Sequence, residues 1–313
     1  MDPLRLITAE HGFFTRAEAR EAGYDDRAVT RMVRRRVWLR LRRGAYVFCD
    51  EWAPLDAVGR HRIRSAAVLR SLGDAVALSH VSGVIAHGID IWSQDLRRVH
   101  VTRLDGAAGR VEGDVVHHEG FCLDGEVADT GGGRALLAER CTLEAASRGS
   151  DEAALCLLDS GLRAGAFDSE ALAASYDLLQ QWPFMRHLGR IVPMADGHSG
   201  SVGESRGRWL FHVGRIPPPV LQLRIERVDG TVAGICDWAW PEHRELGEFD
   251  GKVKYGRLLR PGQTAADAVF EEKRREDEIP ELSGCQMFRL VWDDYNVPER
   301  TLARVRRALR LAS

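Results

Sequence analysis

The stretch Asp237-Trp238-Ala239-Trp240-Pro241-Glu242-His243-Arg244-Glu245-Leu246-Gly247-Glu248-Phe249-Asp250-Gly251-Lys252 sets two short apolar runs on either side of Pro241-Glu242-His243-Arg244. A hairpin with its turn centred between Glu242 and His243 places position 237 opposite position 248. Side chains of a strand alternate between faces, so Glu248, Asp250 and Lys252 share one face with Asp237 beside them. Three carboxylates and one ammonium then crowd together. Such a group repels itself unless a divalent cation such as Mg²⁺ sits among the carboxylates, since hard cations prefer oxygen ligands.

The flanking sequence supplies a sheet for this hairpin. Residues 203–213 have a helical pattern that carries Glu204, and residues 220–228 alternate, with Leu221, Leu223 and Ile225 on one face. Asp229-Gly230 is a strong hairpin turn. Strands are expected over 232–240 and 245–250, a charged helix over 265–279, a strand over 285–292 and a last helix over 298–311. The order α-β-β-β-α-β-α describes an α+β domain with a mixed sheet.

That distribution of acids over a helix and two strands resembles the PD-(D/E)XK nuclease superfamily, and more closely its branch related to very-short-patch-repair endonucleases. The resemblance implies that Asp237 is the first acid, that Glu248 or Asp250 is the second, and that Glu204 is the helix glutamate. Together these would hold Mg²⁺ or Mn²⁺. Lys252 takes the lysine role if Asp250 is the acid, whereas the short-patch pattern selects Glu248, Asp250, Gly251 and Lys254. Cys236 stands where proline is usual, and Gly247 interrupts an otherwise hydrophobic strand. Phosphodiester hydrolysis needs a hydroxide near neutral pH and compensation for charge building on the phosphate, and a carboxylate-held cation supplies both. Lys273-Arg274-Arg275 is a further phosphate-contact candidate, although the surrounding Glu271, Glu272, Glu276 and Asp277 favour an exposed helix face.

At the other end, eight arginines and no acidic residue fall between positions 27 and 43 of a 313-residue chain whose formal net charge is only −2. Thr15 with Glu18 makes a capping box, Gly23 can close that helix, and Asp25 can cap the next. The helix over 26–36 carries Val29, Met32 and Val33 on one stripe, with Arg27, Arg31, Arg34 and Arg35 around the rest. Residues 37–48 then alternate as two strands with a turn at Arg43-Gly44. Three helices and a basic ribbon describe a winged helix-turn-helix. The helix from Asp26 would enter the major groove of DNA, while the Arg42-Arg43-Gly44 wing tip, with Arg40 beside it, reaches the backbone or minor groove.

These residues also resemble AbiEi-type antitoxins of abortive-infection systems, through Phe14-Thr15-Arg16-Ala17-Glu18-Ala19, Arg34-Arg35-Arg36 and Arg43-Gly44-Ala45-Tyr46-Val47. Leu78-Ser79-His80-Val81-Ser82 and His87-Gly88 extend the likeness over roughly residues 1–150. The resemblance implies autorepression at promoter DNA by the winged domain and a second domain concerned with a cognate toxin.

Residues 54–193 read as mostly helical. Helices are expected over 57–72, from Ser79 to His87-Gly88, and over 134–147, 151–164 and 169–181. A sheet-like insertion has strands at 98–102 and 115–118 around a Gly-rich hairpin at 105–109. His80 and His87 lie seven residues apart on one helix face, and two histidines alone make a poor metal site. His117 and His118 point to opposite faces of a strand. No catalytic role is assigned to any of them. Residues 195–202 are small and polar, as in a linker.

The expected domains are therefore 1–52, a winged helix-turn-helix; 53–195, an antitoxin-like domain; and 200–313, a nuclease-like domain. Six scattered cysteines without a CxxC pair suit a reducing compartment. With no apolar run near the roughly 18–20 residues of a membrane span and no signal-peptide form at the N-terminus, a cytoplasmic protein is expected. Two functions follow as expectations: a DNA-binding protein with Mg²⁺-dependent endonuclease activity, or a transcriptional regulator and antitoxin whose nuclease-like domain only binds.

Overall fold

The computed structural model describes residues 2–123, 125–251 and 278–311. The chain divides into two compact units, Met1–Leu157 with Ala164–Pro193, and Leu158–Arg163 with Met194–Ser313. No helix among the described residues is long and apolar enough to cross a membrane.

Unit 1 begins with α1 (Pro3–His11), β1 (Phe14–Thr15), α2 (Arg16–Glu21), α3 (Asp26–Arg34), β2 (Trp38–Arg42) and β3 (Ala45–Phe48). The local signals act as the sequence suggests. Thr15 and Glu18 close a reciprocal capping box on α2, and the Asp25 carboxylate accepts from the Ala28 amide at the start of α3. The three strands run in the order β1-β3-β2, with Gly44 at φ +81° in the wing turn. Leu4, Phe14, Val29, Trp38, Tyr46 and Phe48 form one buried cluster, so the apolar stripe of α3 is fixed against the ribbon.

Unit 1 continues with α4 (Cys49–Trp52), α5 (Ala57–Leu72), β4 (Val76–Leu78), α6 (His80–Ala86), β5 (Val99–Arg103), β6 (Arg110–Glu112), β7 (Val115–His118), β8 (Val127–Thr130), β9 (Gly133–Leu136), α7 (Ala138–Ala146), the start of α8 (Asp151–Arg163), which from Leu158 on belongs to unit 2, and α9 (Ser169–Leu179). The middle region is helical in the main, but its sheet exceeds the expected insertion: six strands of order β6-β7-β5-β4-β9-β8 run through it. Strand β4 spans three residues, too few to show alternation, and β8–β9 is a short hairpin around Gly131-Gly132 whose Asp129 and Arg134 look like loop. The helix expected from position 134 accordingly starts only at Ala138. Strands β5 and β7 are not partners in a simple hairpin either: they pair in parallel, and β6 pairs antiparallel with β7.

Unit 2 contains α10 (Val202–Val213), β10 (Val220–Glu226), β11 (Val232–Trp240), β12 (Glu245–Asp250), β13 (Gln286–Val291) and α11 (Pro298–Ala308). The strands lie in the order β10-β11-β12-β13, with antiparallel pairs except for parallel β12–β13. The helix expected over 265–279 lies almost wholly outside the described residues, as do Lys273-Arg274-Arg275. Residues 195–202 do not behave as a linker: Ser199 is buried, the Asp196 amide donates to Asp159 at 2.8 Å, and a Cβ on Gly197 would sit 3.0 Å from Leu162. Small side chains here serve close packing.

Glycine spacing brings α10 down onto the sheet. A Cβ on Gly203 would lie 2.0 Å from Phe249, and one on Gly207 would lie 2.2 Å from Trp238. Both aromatics belong to the main core of this unit. Gly207→Ala is therefore expected to destabilise unit 2 by about 3 kcal/mol, the upper part of the usual cost of overpacking. Urea unfolding of the full chain followed by tryptophan fluorescence measures it.

Candidate functional site

Two clusters correspond to the predicted site residues, one in each unit. In unit 1, Arg27, Arg31 and Arg34 occupy positions i, i+4 and i+7 of α3 and are exposed, as are Arg35, Arg40 and Arg43. Arg42 is half-buried, and its Nη1 has no hydrogen-bond partner. Arg40 Nε donates to the Arg42 carbonyl at 3.3 Å. The neighbouring helix behaves differently: Arg16 and Arg20 both close on Asp26, at 2.8 and 3.0 Å. Among the described residues, no carboxylate forms an ion pair with any of the arginines of α3 or the wing. The charge of the exposed ones therefore faces solvent uncompensated, the condition for displacing counterions from a polyanion.

Arg36, just after α3, has φ +56°, and the Val37 amide returns to the Met32 carbonyl at 3.0 Å. This is the left-handed ending of a helix, usually made by glycine. It turns the chain from the arginine-bearing helix into the wing.

In unit 2 the hairpin pairs Trp238 with Gly247 and Trp240 with Glu245, the register of a turn centred between Glu242 and His243. Gly247 lies between Trp238 and Phe288 on its two partner strands, and a Cβ there would meet both, at 3.1 and 2.9 Å. The break in the hydrophobic strand makes room for two aromatic rings. Glu248 and Asp250 are half-buried and alternate with buried Phe249.

Glu204 stands in the first turn of α10, where its two oxygens accept from the Gly200 amide at 2.7 Å and the Ser201 hydroxyl at 2.9 Å. The Gln222 amide donates both to Glu204, at 2.8 Å, and to Asp237, at 3.3 Å. Asp237 also accepts the Phe249 amide at 2.7 Å, which ties β11 to β12. Burial, and then the charge of Asp237, push the Glu204 carboxyl up to about 7. Glu248 turns to Arg289 at 3.1 Å. The structure thus brings Glu204, Gln222 and Asp237 together, and Gln222, at φ +50°, carried no signal in the sequence. Glu204, Asp237, Glu248 and Asp250 do not offer three oxygens within 4.8 Å of one another. Lys252 and Lys254 lie outside the described residues.

The raised Glu204 pKa has a sign that can be tested. The folded state holds this proton more tightly than the unfolded chain, so stability is greatest below the ordinary glutamate range and falls as pH rises through about 7. The loss is on the order of 3 kcal/mol. In the full chain, Glu204→Leu should flatten the decline in unfolding free energy between pH 5 and pH 8.

Sequence reasoning also missed a cluster in unit 1. His80, His100 and His118 each present a ring nitrogen within 4.8 Å of the others, and no other group of three potential ligands does so among the described residues. His87, which shares a helix face with His80, contacts the Leu136 carbonyl at 2.7 Å instead.

A family model described as "Transcriptional regulator, AbiEi antitoxin" matches residues 1–48, the winged module up to the end of β3. No curated protein matches the chain.

Proposed function

We propose that the chain is a DNA-binding transcriptional regulator of the antitoxin type, holding promoter DNA, its own included, through the winged module. Support comes from one coincidence: the segment that matches the antitoxin family model also carries, on α3 and the wing, arginines with no carboxylate partner among the described residues. Helix α3 would lie in the major groove, with Arg27, Arg31 and Arg34 toward bases and phosphates. Arg35, Arg40, Arg42 and Arg43 would hold the backbone and fix the register. The remainder of unit 1 would meet a cognate toxin. A reporter driven by the DNA upstream of this coding sequence should be repressed when the full chain is supplied in trans. Unchanged reporter output would contradict the reading.

A second reading, metal-dependent hydrolysis of DNA, is favoured by the close approach of Glu204 and Asp237. Two carboxylates sharing one amide, one of them pushed toward neutrality, suit a hard cation better than they suit each other. Glu204 and Asp237 are carboxylates of the kind that hold Mg²⁺ or Mn²⁺ and share the Gln222 amide, whereas Glu248 would have to leave Arg289. A bound ion of this kind supplies a hydroxide near neutral pH and charge compensation at the phosphate. The protein's own part would be to hold the ion with Glu204, Asp237 and Asp250 or Glu248, and to steady the attacking water with Lys252 or Lys254.

A further inference from the structure

Three imidazoles from three separate elements converge in unit 1. His80 opens α6, His100 lies on β5 and His118 ends β7. The parallel register pairs His100 with Val116 and Thr102 with His118, which sets both histidines on one face of the sheet. There His100 Nδ1 and His118 Nε2 approach to 2.9 Å, and His80 stacks on His118 with centroids 3.8 Å apart. Imidazole nitrogen is the commonest protein ligand of transition-metal ions.

The surroundings of His80 are those of an oriented ligand. Glu144, itself buried, approaches His80 Nδ1 at 3.1 Å and accepts the His80 backbone amide at 3.3 Å. Its other oxygen receives Arg140 Nε at 3.0 Å. A carboxylate on one ring nitrogen is the usual outer support of a metal-bound histidine. The backbone of His80 also lies at φ +48°, an unfavourable region for a residue with a side chain. A buried carboxylate grips both its amide and its ring, so the strain is held in place. Beside the cluster is a cavity of about 130 Å³, whose walls include His80, His118, Glu144, Arg148 and Trp182.

We propose that His80, His100 and His118 form a binding site for a divalent transition metal of the zinc class, with Glu144 as the orienting carboxylate and the fourth position turned to the adjoining cavity. Nitrogen donors select such ions over Mg²⁺, which keeps this site distinct from the carboxylates of unit 2. Closing on a tetrahedral ion moves His100 Nδ1 and His118 Nε2 apart to about 3.3 Å, a small change in ring torsions.

The test uses the full, tag-free chain, stripped with chelator and titrated with Co²⁺. A visible absorption band saturating at one ion per chain, and abolished by added Zn²⁺, is expected. The His100→Ala/His118→Ala double variant should bind at least a hundredfold more weakly. Glu144→Gln should lose about 10–100-fold, while His87→Ala keeps full affinity. Circular dichroism identifies variants that fail to fold, and for those the single His118→Asn variant replaces the double. A folded wild-type chain without a stoichiometric band overturns the proposal, as does a band that survives loss of His100 and His118.

Discussion

Replacing Arg27, Arg31 and Arg34 together by alanine is expected to weaken DNA binding about a hundredfold and leave folding intact. The three side chains share one exposed face of α3 and have no carboxylate partner among the described residues, so their removal leaves no buried charge unpaired. Alanine is also a better helix former than arginine, so the helix itself loses nothing. Each phosphate contact given up lowers the salt slope by about one, and contacts worth about 1 kcal/mol each combine to roughly a hundredfold. Fluorescence anisotropy on a labelled duplex measures both quantities. Arg97→Ala is the control, because Asp95 already neutralises that exposed arginine at 2.6 Å, and it should bind as the wild type does.

The second large effect belongs to Asp237. On the hydrolytic reading, the full chain with Mg²⁺ or Mn²⁺ nicks supercoiled DNA, and Asp237→Ala lowers the rate by about a thousandfold or more. The carboxylate has two roles that the substitution removes together: it faces Glu204 through Gln222, and it fastens the Phe249 amide. Asp237→Asn separates them, since its amide oxygen can still accept from Phe249 while the charge is gone. Loss of cleavage in both variants, with folding retained in the asparagine form, assigns the effect to charge. Cleavage that persists in both sinks the hydrolytic reading and leaves the regulator alone.

Much of this fold announces itself locally, because its decisive signals are local. The capping box of Thr15 and Glu18, the Asp25 cap, the turn at Gly44 and the register about Glu242-His243 each depend on residues within a few positions of one another. What escaped depends on long-range pairing. Strand β4 becomes a strand only because β5 and β9 flank it, and nothing in Val76-Ala77-Leu78 distinguishes it from a buried helical turn. The parallel pairing of β5 with β7 hides in the same way, and with it the meeting of His100 and His118. His80 shares a helix face with His87, but the sheet gave it different neighbours.

The carboxylate site divides along the same line. Alternation along β12 put Glu248 and Asp250 on one face and Phe249 in the core, as the period of a strand requires. Which acid meets which depends on Gln222, reached from another strand, and on Arg289, which draws Glu248 aside. Gly203 and Gly207 had no evident purpose in the sequence. In the fold they let α10 approach Phe249 and Trp238, and Glu204 comes to Asp237 as a result.

The central claim is that uncompensated arginines of the winged module bind DNA, and the salt dependence of binding by the full chain tests it most directly. With several phosphates neutralised, log affinity should fall against log salt concentration with a slope of about −0.9 per contact, about −4 or steeper overall. A slope near zero, or no binding at low salt, would contradict it.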